Sequence, residues 1–468
     1  MTRHLPPWPQ QAGIRANLNH FWQRLGGQIR PTLALAAPVM VARTGVVFLF
    51  VVDSLMVGRA GGTELAAFGQ AVAPQSVMML ISIGLLQGSM ILISQAYGAK
   101  EWRECGRTWQ ASMLIAIGLG ACFFLLSFLV EPFLLLTGTE ATLARDAGAV
   151  SLQFAWGIPG MLLYIASNYF LESIKRPQIG MMIMMICNAL NLAADGILVA
   201  GWGGFVTESW GAPGAVFTTS ALRWLAFLLA LCAILWTGEV VRFGVWPSLR
   251  GHVDRVKHIL RLGGPVAVAL GTDQAAFATI VIMAGHMGAS VAAAHQLTSN
   301  FTTLLLMIAV GLSAATSIRV GHAVGAEDAP QSMRAGITGI GLALAITLLL
   351  GFGLLLLPQS IASLYTPEPQ VIAIATSLLM VGGLVIVLDG TLTVTMGALR
   401  GLGDTFVPAI LHAGSYWLIG VPAAYALGFP GGLGAPGLML GLAAGIAMSF
   451  ALLSWRFVVI VRRPVHRA

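Results

Sequence analysis

The sequence predicts an all-α polytopic membrane protein, with twelve membrane-spanning helices arranged as two pseudo-twofold six-helix lobes. Three observations carry this. The 468-residue chain is 57% hydrophobic and only 9% charged, against about 25% charged in a soluble domain. Continuous apolar runs recur from Leu33 to Val461, each of about 18 residues or more, enough to cross a roughly 30 Å hydrocarbon core as a helix. A set of residues also recurs at a fixed offset of 227, as detailed below. The runs do not alternate, which argues against a β-barrel.

Taken in order, residues 1–30 lack the apolar core of a signal peptide. Instead Ile14, Leu18, Phe21, Trp22, Leu25 and Ile29 recur at helical spacing with Arg15 and Arg24 between them, which predicts a short helix lying on the membrane surface. An N-lobe at 31–237 holds spans at 33–58, 67–96, 107–130, 147–171, 178–201 and 212–236. A basic cytoplasmic linker at 238–257 leads to a C-lobe at 258–461, with spans at 258–285, 290–318, 333–357, 370–398, 406–428 and 434–461. Residues 462–468 form a tail. Trp102, Trp109, Trp202, Trp210, Trp236 and Trp455 fall near span ends and read as interface anchors.

The net charge of +7 sits between the apolar runs, so it marks orientation rather than nucleic-acid binding. With an internal N-terminus, 21 of the 25 Lys and Arg fall on the inner side, Arg59 and Arg145 on the outer side, and Arg43 and Arg223 inside spans. Both termini are therefore expected in the cytoplasm. Pro38 matches Pro265, Gly58 matches Gly285, Gly84 matches Gly311, Gly98 matches Gly325 and Arg107 matches Arg334, each 227 residues apart. Leu171 and Leu399 differ by 228. Six spans per half give both halves one orientation and a twofold axis along the membrane normal.

Four aspartates interrupt the apolar runs: Asp53 in span 1, Asp195 in span 5, Asp273 in span 7 and Asp389 in span 10. Each costs about 2.5–3.5 kcal/mol to insert, so such acids usually bind ions, protons or cationic ligands. None has an acid at its repeat position, which suggests separate tasks. Asn191 precedes Asp195 by one turn, and Thr218 and Thr219 open span 6. Carboxylate, amide and hydroxyl oxygens suit a dehydrated sodium ion, and one carboxylate equally suits a proton. A buried ion pair of Asp53 with Arg43 or Arg223 is the alternative; for Asp273 and Asp389 it is hydrogen bonding to nearby hydroxyls. Pro38 frees a carbonyl and permits a bend in span 1. The Met181–Met185 run reads as lipid-facing or packed. His295 reads as a packed residue, and Cys105, Cys122, Cys187 and Cys232 as small packing residues. No P-loop, nucleophile elbow or zinc-spaced set appears, so neither an ATP-driven pump nor an enzyme is expected.

At VVDSLMVG (51–58), RLGGPVAVALGTDQ (261–274), VAAAHQ (291–296), SIRVGHAVGA (317–326) and ALRGLGDT (398–405) the chain resembles the multidrug and toxic compound extrusion (MATE) family, in its NorM-like bacterial branch. The resemblance implies a V-shaped pair of lobes that exchange cationic amphipathic drugs for Na+ or H+. It implies an N-lobe cation site of Asp53, Asn191, Asp195 and Thr219, and a C-lobe site of Asp273 and Asp389. Asp53, Gln296 and Asp389 are the substrate-contact candidates. Val385 stands one turn before Asp389, where some relatives carry a tyrosine. No cofactor is implied beyond the coupling ion. The expected setting is the bacterial inner membrane, as a monomer. The competing reading is a flippase for lipid-linked precursors or polysaccharides, whose cavity should be basic; here the spans hold four acids against two arginines.

Overall fold

In the computed structural model, the described residues are 11–199, 210–236, 239–244, 252–461 and 467, with the side chains of 11–26, 59, 60, 239, 240 and 252 excepted. The N-terminal half runs α1 (Gln11–Ala60), α2 (Gly62–Gly98), α3 (Trp102–Ser127), α4 (Val130–Leu136), α5 (Ala141–Ala155), α6 (Gly157–Ser173), α7 (Pro177–Leu198), α8 (Gly211–Trp236) and the short α9 (Glu239–Phe243). The second half runs α10 (His252–His286), α11 (Ala289–Gly325), α12 (Ala329–Leu356), α13 (Pro358–Tyr365), α14 (Pro369–Gly401), α15 (Phe406–Gly414), a π segment (Ser415–Gly420), α16 (Val421–Gly428) and α17 (Gly434–Val461). Twelve of these, counting α5–α6 and α15–α16 as one each, are long and apolar enough to cross a bilayer. The chain is a multi-pass membrane protein.

Three local readings differ from expectation. The N-terminal helix is not a separate element: α1 is one helix of 50 residues that runs through Pro31 and Pro38, about 75 Å at 1.5 Å per residue. Each proline removes one hydrogen bond, and the rest of a long helix carries the register across it. Span 4 divides at Trp156, where Pro159 has no N–H to offer the Ala155 carbonyl. The Trp156 carbonyl instead accepts the indole N–H of Trp224 at 2.8 Å. Trp109 is not an interface anchor but 5% exposed in the core, against Phe170; it lies about two helical turns inside span 3, on the packed face. Trp210, Trp236 and Trp455 are exposed near span ends, and Trp202 lies outside the described residues. Of the cysteines, all free thiols, Cys105 and Cys187 are buried and Cys122 and Cys232 exposed.

Duplication is visible in the backbone. Shifting α2 by 227 gives 289–325, the bounds of α11, and shifting 141–173, the α5–α6 pair, by 228 gives 369–401, the bounds of α14. The turns repeat as well. Left-handed residues at Lys100 (φ 64°) and Glu327 (φ 57°) are 227 apart, and Lys175 (φ 66°) and Gly403 (φ 81°) are 228 apart. Each closes a six-residue C-terminal hydrogen bond: Glu101 N–H to Ala96, Asp328 to Ala323, Arg176 to Leu171 and Asp404 to Leu399. That pattern is a Schellman cap. Here it turns the chain back toward the membrane.

The halves meet through α1, α2, α10 and α11, and the contacts are reciprocal. A Cβ on Gly84 would sit 2.4 Å from Ala267 Cα, and one on Gly311 would sit 2.7 Å from Met40 Cα; the two contacts are images at 227. Likewise Gly98 abuts the His322 carbonyl and Gly325 the Gln95 carbonyl. Reciprocity of this kind is the mark of a twofold interface. It is confined to one end of the bundle. At the other end Gly61, Gly62, Gly285 and Gly288 would meet nothing within 4 Å among the described residues. Each half has its own apolar core; the first also takes in Leu312, Ala315 and Ile318 of α11, which ties the closed end together.

Candidate functional site

Two acid clusters lie one in each half. In the first, α1 carries Asp53, α7 carries Asn191 and Asp195, and α8 carries Thr219. Asn191 and Asp195 share a face because four residues make about one turn. The Asn191 amide lies 3.0 Å from Asp53 Oδ1, 3.1 Å from Asp195 Oδ2 and 3.3 Å from Thr219 Oγ1. Thr219 donates its hydroxyl to Asp53 Oδ2 at 2.7 Å. All four residues are buried, Asp53 at 1% and Asp195 and Asn191 at 0% exposure. The structure thus brings these four sequence candidates into one contact network. Thr218 is buried beside them but donates to the Gly214 carbonyl.

Two buried acceptors in this cluster, Asn191 Oδ1 and Asp195 Oδ1, have no partner. Buried polar atoms are seldom left so, and oxygens without donors are what a bare monovalent cation requires. The donor set is all oxygen, hard, and supplied by only two acids. No group of three or more His, Cys, Asp or Glu that could hold a metal ion occurs among the described residues, so a divalent centre is not supported and a singly charged ion fits better.

Neither arginine forms an ion pair with Asp53. Arg43 instead donates to both Glu172 oxygens at 3.2 Å, with its guanidinium 5.1 Å over the Tyr169 ring. Asn168 donates to the same Glu172 at 2.6 Å. Arg223 lies 5.0 Å over the Phe154 ring, near enough to extend its field to Asp53 without contact. Glu172, 1% exposed, is a membrane acid missed by the sequence reading, because the expected span ended one residue before it. Breaking one side of a buried pair costs about 3–5 kcal/mol, whereas replacing both partners by apolar residues is often near neutral. Glu172→Ala is therefore expected to lower the thermal unfolding midpoint of the detergent-purified protein sharply, and Arg43→Met with Glu172→Met to recover most of the loss.

In the second half, Asp273 on α10 and Asp389 on α14 are both partly buried, and the field of Asp273 reaches Asp389. Between α10 and α17 stands a residue sequence reasoning passed over: His412, 1% exposed, its Nε2 2.5 Å from Asp273 Oδ1. Tyr416, in the π segment, packs on the His412 ring at 4.5 Å between centroids. Its hydroxyl interacts with Asp389 without closing a hydrogen bond of ordinary geometry. Val385 is buried in the apolar core. The signal that could have found the pair was His412 and Tyr416 at i, i+4 inside an apolar run.

Gln296 is exposed and donates to Asn300 at 3.1 Å; no hydrogen bond joins it to either cluster. His295 is buried as expected, but its Nε2 has no partner. Pro38 is half-buried on α1, in unbroken helix. A recess of about 470 Å³ at the closed end, lined in part by Lys175, Arg319, His322 and Asp328, contains none of the candidate residues.

The closed end is also tied by polar contacts across the halves. Arg255 of α10 grips Glu104 of α3 at 2.5 and 2.9 Å. Arg400 of α14 donates to Gln87 of α2 at 2.7 Å, and His322 of α11 lies 2.7 Å from the Ser173 carbonyl. Arg319 of α11 donates to the Gln28 carbonyl at 2.8 Å and to Thr32.

Comparison with known proteins bears on this architecture. The MatE family profile matches residues 38–196 and 265–426, one stretch in each half. The probable multidrug resistance protein NorM of Deinococcus radiodurans is 30% identical over 438 residues, covering 92% of this chain and 95% of that one. Among solved structures, the eukaryotic MATE transporter AtDTX14 superposes with a TM-score of 0.85 at 20% identity, over 94% of this chain and 97% of that one. A MOP superfamily transporter from Pyrococcus furiosus, described by the reverse polarity of its binding pocket, superposes at 0.82 and 19% identity over 93% and 96%. Likeness at these identities carries the fold alone, so function must be argued from the site.

Proposed function

The chain belongs to the MatE family, and from that premise we propose that it is a secondary-active multidrug efflux antiporter, exchanging cationic amphipathic drugs for Na+ or H+ by alternating access. It is a transporter and not an enzyme. The observation that carries the proposal is the Asp53–Asn191–Asp195–Thr219 cluster, with two buried oxygens lacking donors. Two carboxylates linked through one amide in a dry site need a positive charge between them, either a proton or a sodium ion. Both clusters are acidic, which suits a cationic cargo and not the pyrophosphate of a lipid-linked precursor.

Orientation follows from the basic residues. The closed end carries Lys100, Lys175, Arg255, Arg319 and Arg400, so it is placed in the cytoplasm with both termini. On this reading the protein stands outward-open in the bacterial inner membrane, with its inner seam shut by glycine contacts and ion pairs. Asp53, Asn191, Asp195 and Thr219 serve as the N-lobe cation site, and Asp273 and Asp389 as the C-lobe site. An incoming ion at these acids displaces or excludes the drug, and the lobes rock about the seam. The protein works as a monomer, Pro38 accommodates the bend of α1 between states, and Gln296 is kept as a peripheral substrate contact.

Efflux of a cationic dye from proteoliposomes, under sodium and proton gradients imposed separately, tests this reading. One gradient is expected to drive transport, and Asp389→Ala to weaken the dependence on it by about tenfold, the effect of one lost charge-assisted contact. Transport by neither gradient refutes antiport. An unchanged sodium and pH response in Asp389→Ala removes that residue from the mechanism.

A further inference from the structure

We propose that His412 is a positioning residue of the C-lobe acid site: held by Ser449, it fixes one oxygen of Asp273 so that the other is presented to the cation. The inference rests on the efflux reading above and goes beyond it in naming what aims the acid.

Asp273 lies on the α10 stripe Ala269, Ala276, Ile280, which is buried in the C-half core at 2%, 0% and 0% exposure. Its own side chain is nonetheless 31% exposed, so the carboxylate keeps a free face beside its contact with His412. His412, by contrast, is 1% exposed. Its two ring nitrogens are both engaged, Nε2 with Asp273 Oδ1 at 2.5 Å and Nδ1 with Ser449 Oγ at 2.9 Å. A carboxylate only accepts, so Nε2 carries the hydrogen; in the neutral ring Nδ1 then accepts from the Ser449 hydroxyl. That tautomer leaves the full negative charge on Asp273 for one incoming cation.

The scaffold behind the ring is rigid. The π segment begins three residues after His412, and the Tyr416 ring lies against the imidazole at a tilt of 50°. A Cβ on Gly445 would lie 2.7 Å from Gly420 Cα, and one on Gly441 2.0 Å from Ala424 N, so span 11 and α17 are in backbone contact along this stretch. π turns inside α-helices are frequent at functional sites. Here it follows directly on the turn that carries His412, and a ligand-aiming residue held by such a shell loses little freedom when the cation arrives.

The test is the dependence of tetraphenylphosphonium efflux from proteoliposomes on the concentration of the driving cation. His412→Ala is expected to raise KM by about tenfold with Vmax within about twofold, as loss of one hydrogen bond to a charged group predicts. His412→Gln, whose amide can donate to Asp273 and accept from Ser449, should restore most of the loss. Ser449→Ala should shift KM the same way by a smaller factor; it removes only one hydroxyl, so it keeps the test informative if His412→Ala does not fold. An unchanged KM in both His412→Ala and Ser449→Ala overturns the proposal, as does a fall in Vmax alone, which is the mark of a purely structural residue. Failure of the efflux reading is recognised separately: the wild-type protein itself would then show no gradient-driven tetraphenylphosphonium transport.

Discussion

Asp53→Asn is expected to abolish gradient-driven efflux in proteoliposomes while expression and folding stay at the wild-type level. The substitution keeps the shape of the side chain. Thr219 can still donate to the amide oxygen, and Asn191, which donates to Asp53 Oδ1, can turn its amide over so that its partnerless Oδ1 accepts from the new NH2. What disappears is one negative charge at the centre of four buried oxygen-bearing residues. At an effective dielectric constant of about 20, a unit charge 4 Å away is worth about 4 kcal/mol, roughly a thousandfold in cation affinity. No other group can replace it, because Glu172 is bound to Arg43 and Asp195 alone would face the cation. Stability should not suffer, since removing an unpaired buried charge relieves a desolvation penalty. Normal gradient-driven efflux by the variant would dismiss the N-lobe cluster as the coupling site.

How much of this was legible beforehand depends on the range of the interaction. The twelve spans follow from continuous apolar runs, a local property, and Asp53 stands out because an acid there is costly wherever the helix packs. The repeat was readable from paired prolines and glycines; Gly84 with Gly311 and Gly98 with Gly325 turn out to be reciprocal seam contacts, where only a residue without a Cβ allows the backbones to meet. Glu172 was missed because a span boundary drawn one residue early makes a buried acid look like a surface one. His412 was missed because a lone histidine in an apolar run has many meanings until its neighbours are known: Asp273 is 139 residues away. The π segment has no local signature either, since it depends on how tightly Gly420 packs against Gly445 of another helix. Long-range partners decide such features, and a single sequence displays them only as unexplained polar residues.

The seam offers the sharpest test of the conformational cycle. Gly88→Leu is expected to open the cytoplasmic end and cut transport by at least tenfold, without disturbing either acid cluster. A Cβ at Gly88 would lie 2.2 Å from the Ile259 carbonyl oxygen and 2.9 Å from Gly263 N. Those are backbone atoms on the facing half, so no side-chain rotation relieves the clash, and the helices must part. Overpacking of this kind costs about 1–3 kcal/mol, and 3 kcal/mol shifts a two-state equilibrium by more than a hundredfold. A closed seam favoured by 99 to 1 would then be at or below even odds, as a rough illustration. Gly118 is the control: it is on α3, and a Cβ there meets nothing within 4 Å, so Gly118→Leu should transport normally. Spin labels at Lys100→Cys and Glu327→Cys, in a background lacking Cys105, Cys122, Cys187 and Cys232, sit on the two exposed twofold-related turns of this end. Their separation should lengthen and broaden in Gly88→Leu and stay unchanged in Gly118→Leu. An unaltered distance together with wild-type efflux would mean that the α2–α10 contact is ordinary packing, and that the lobes pivot elsewhere.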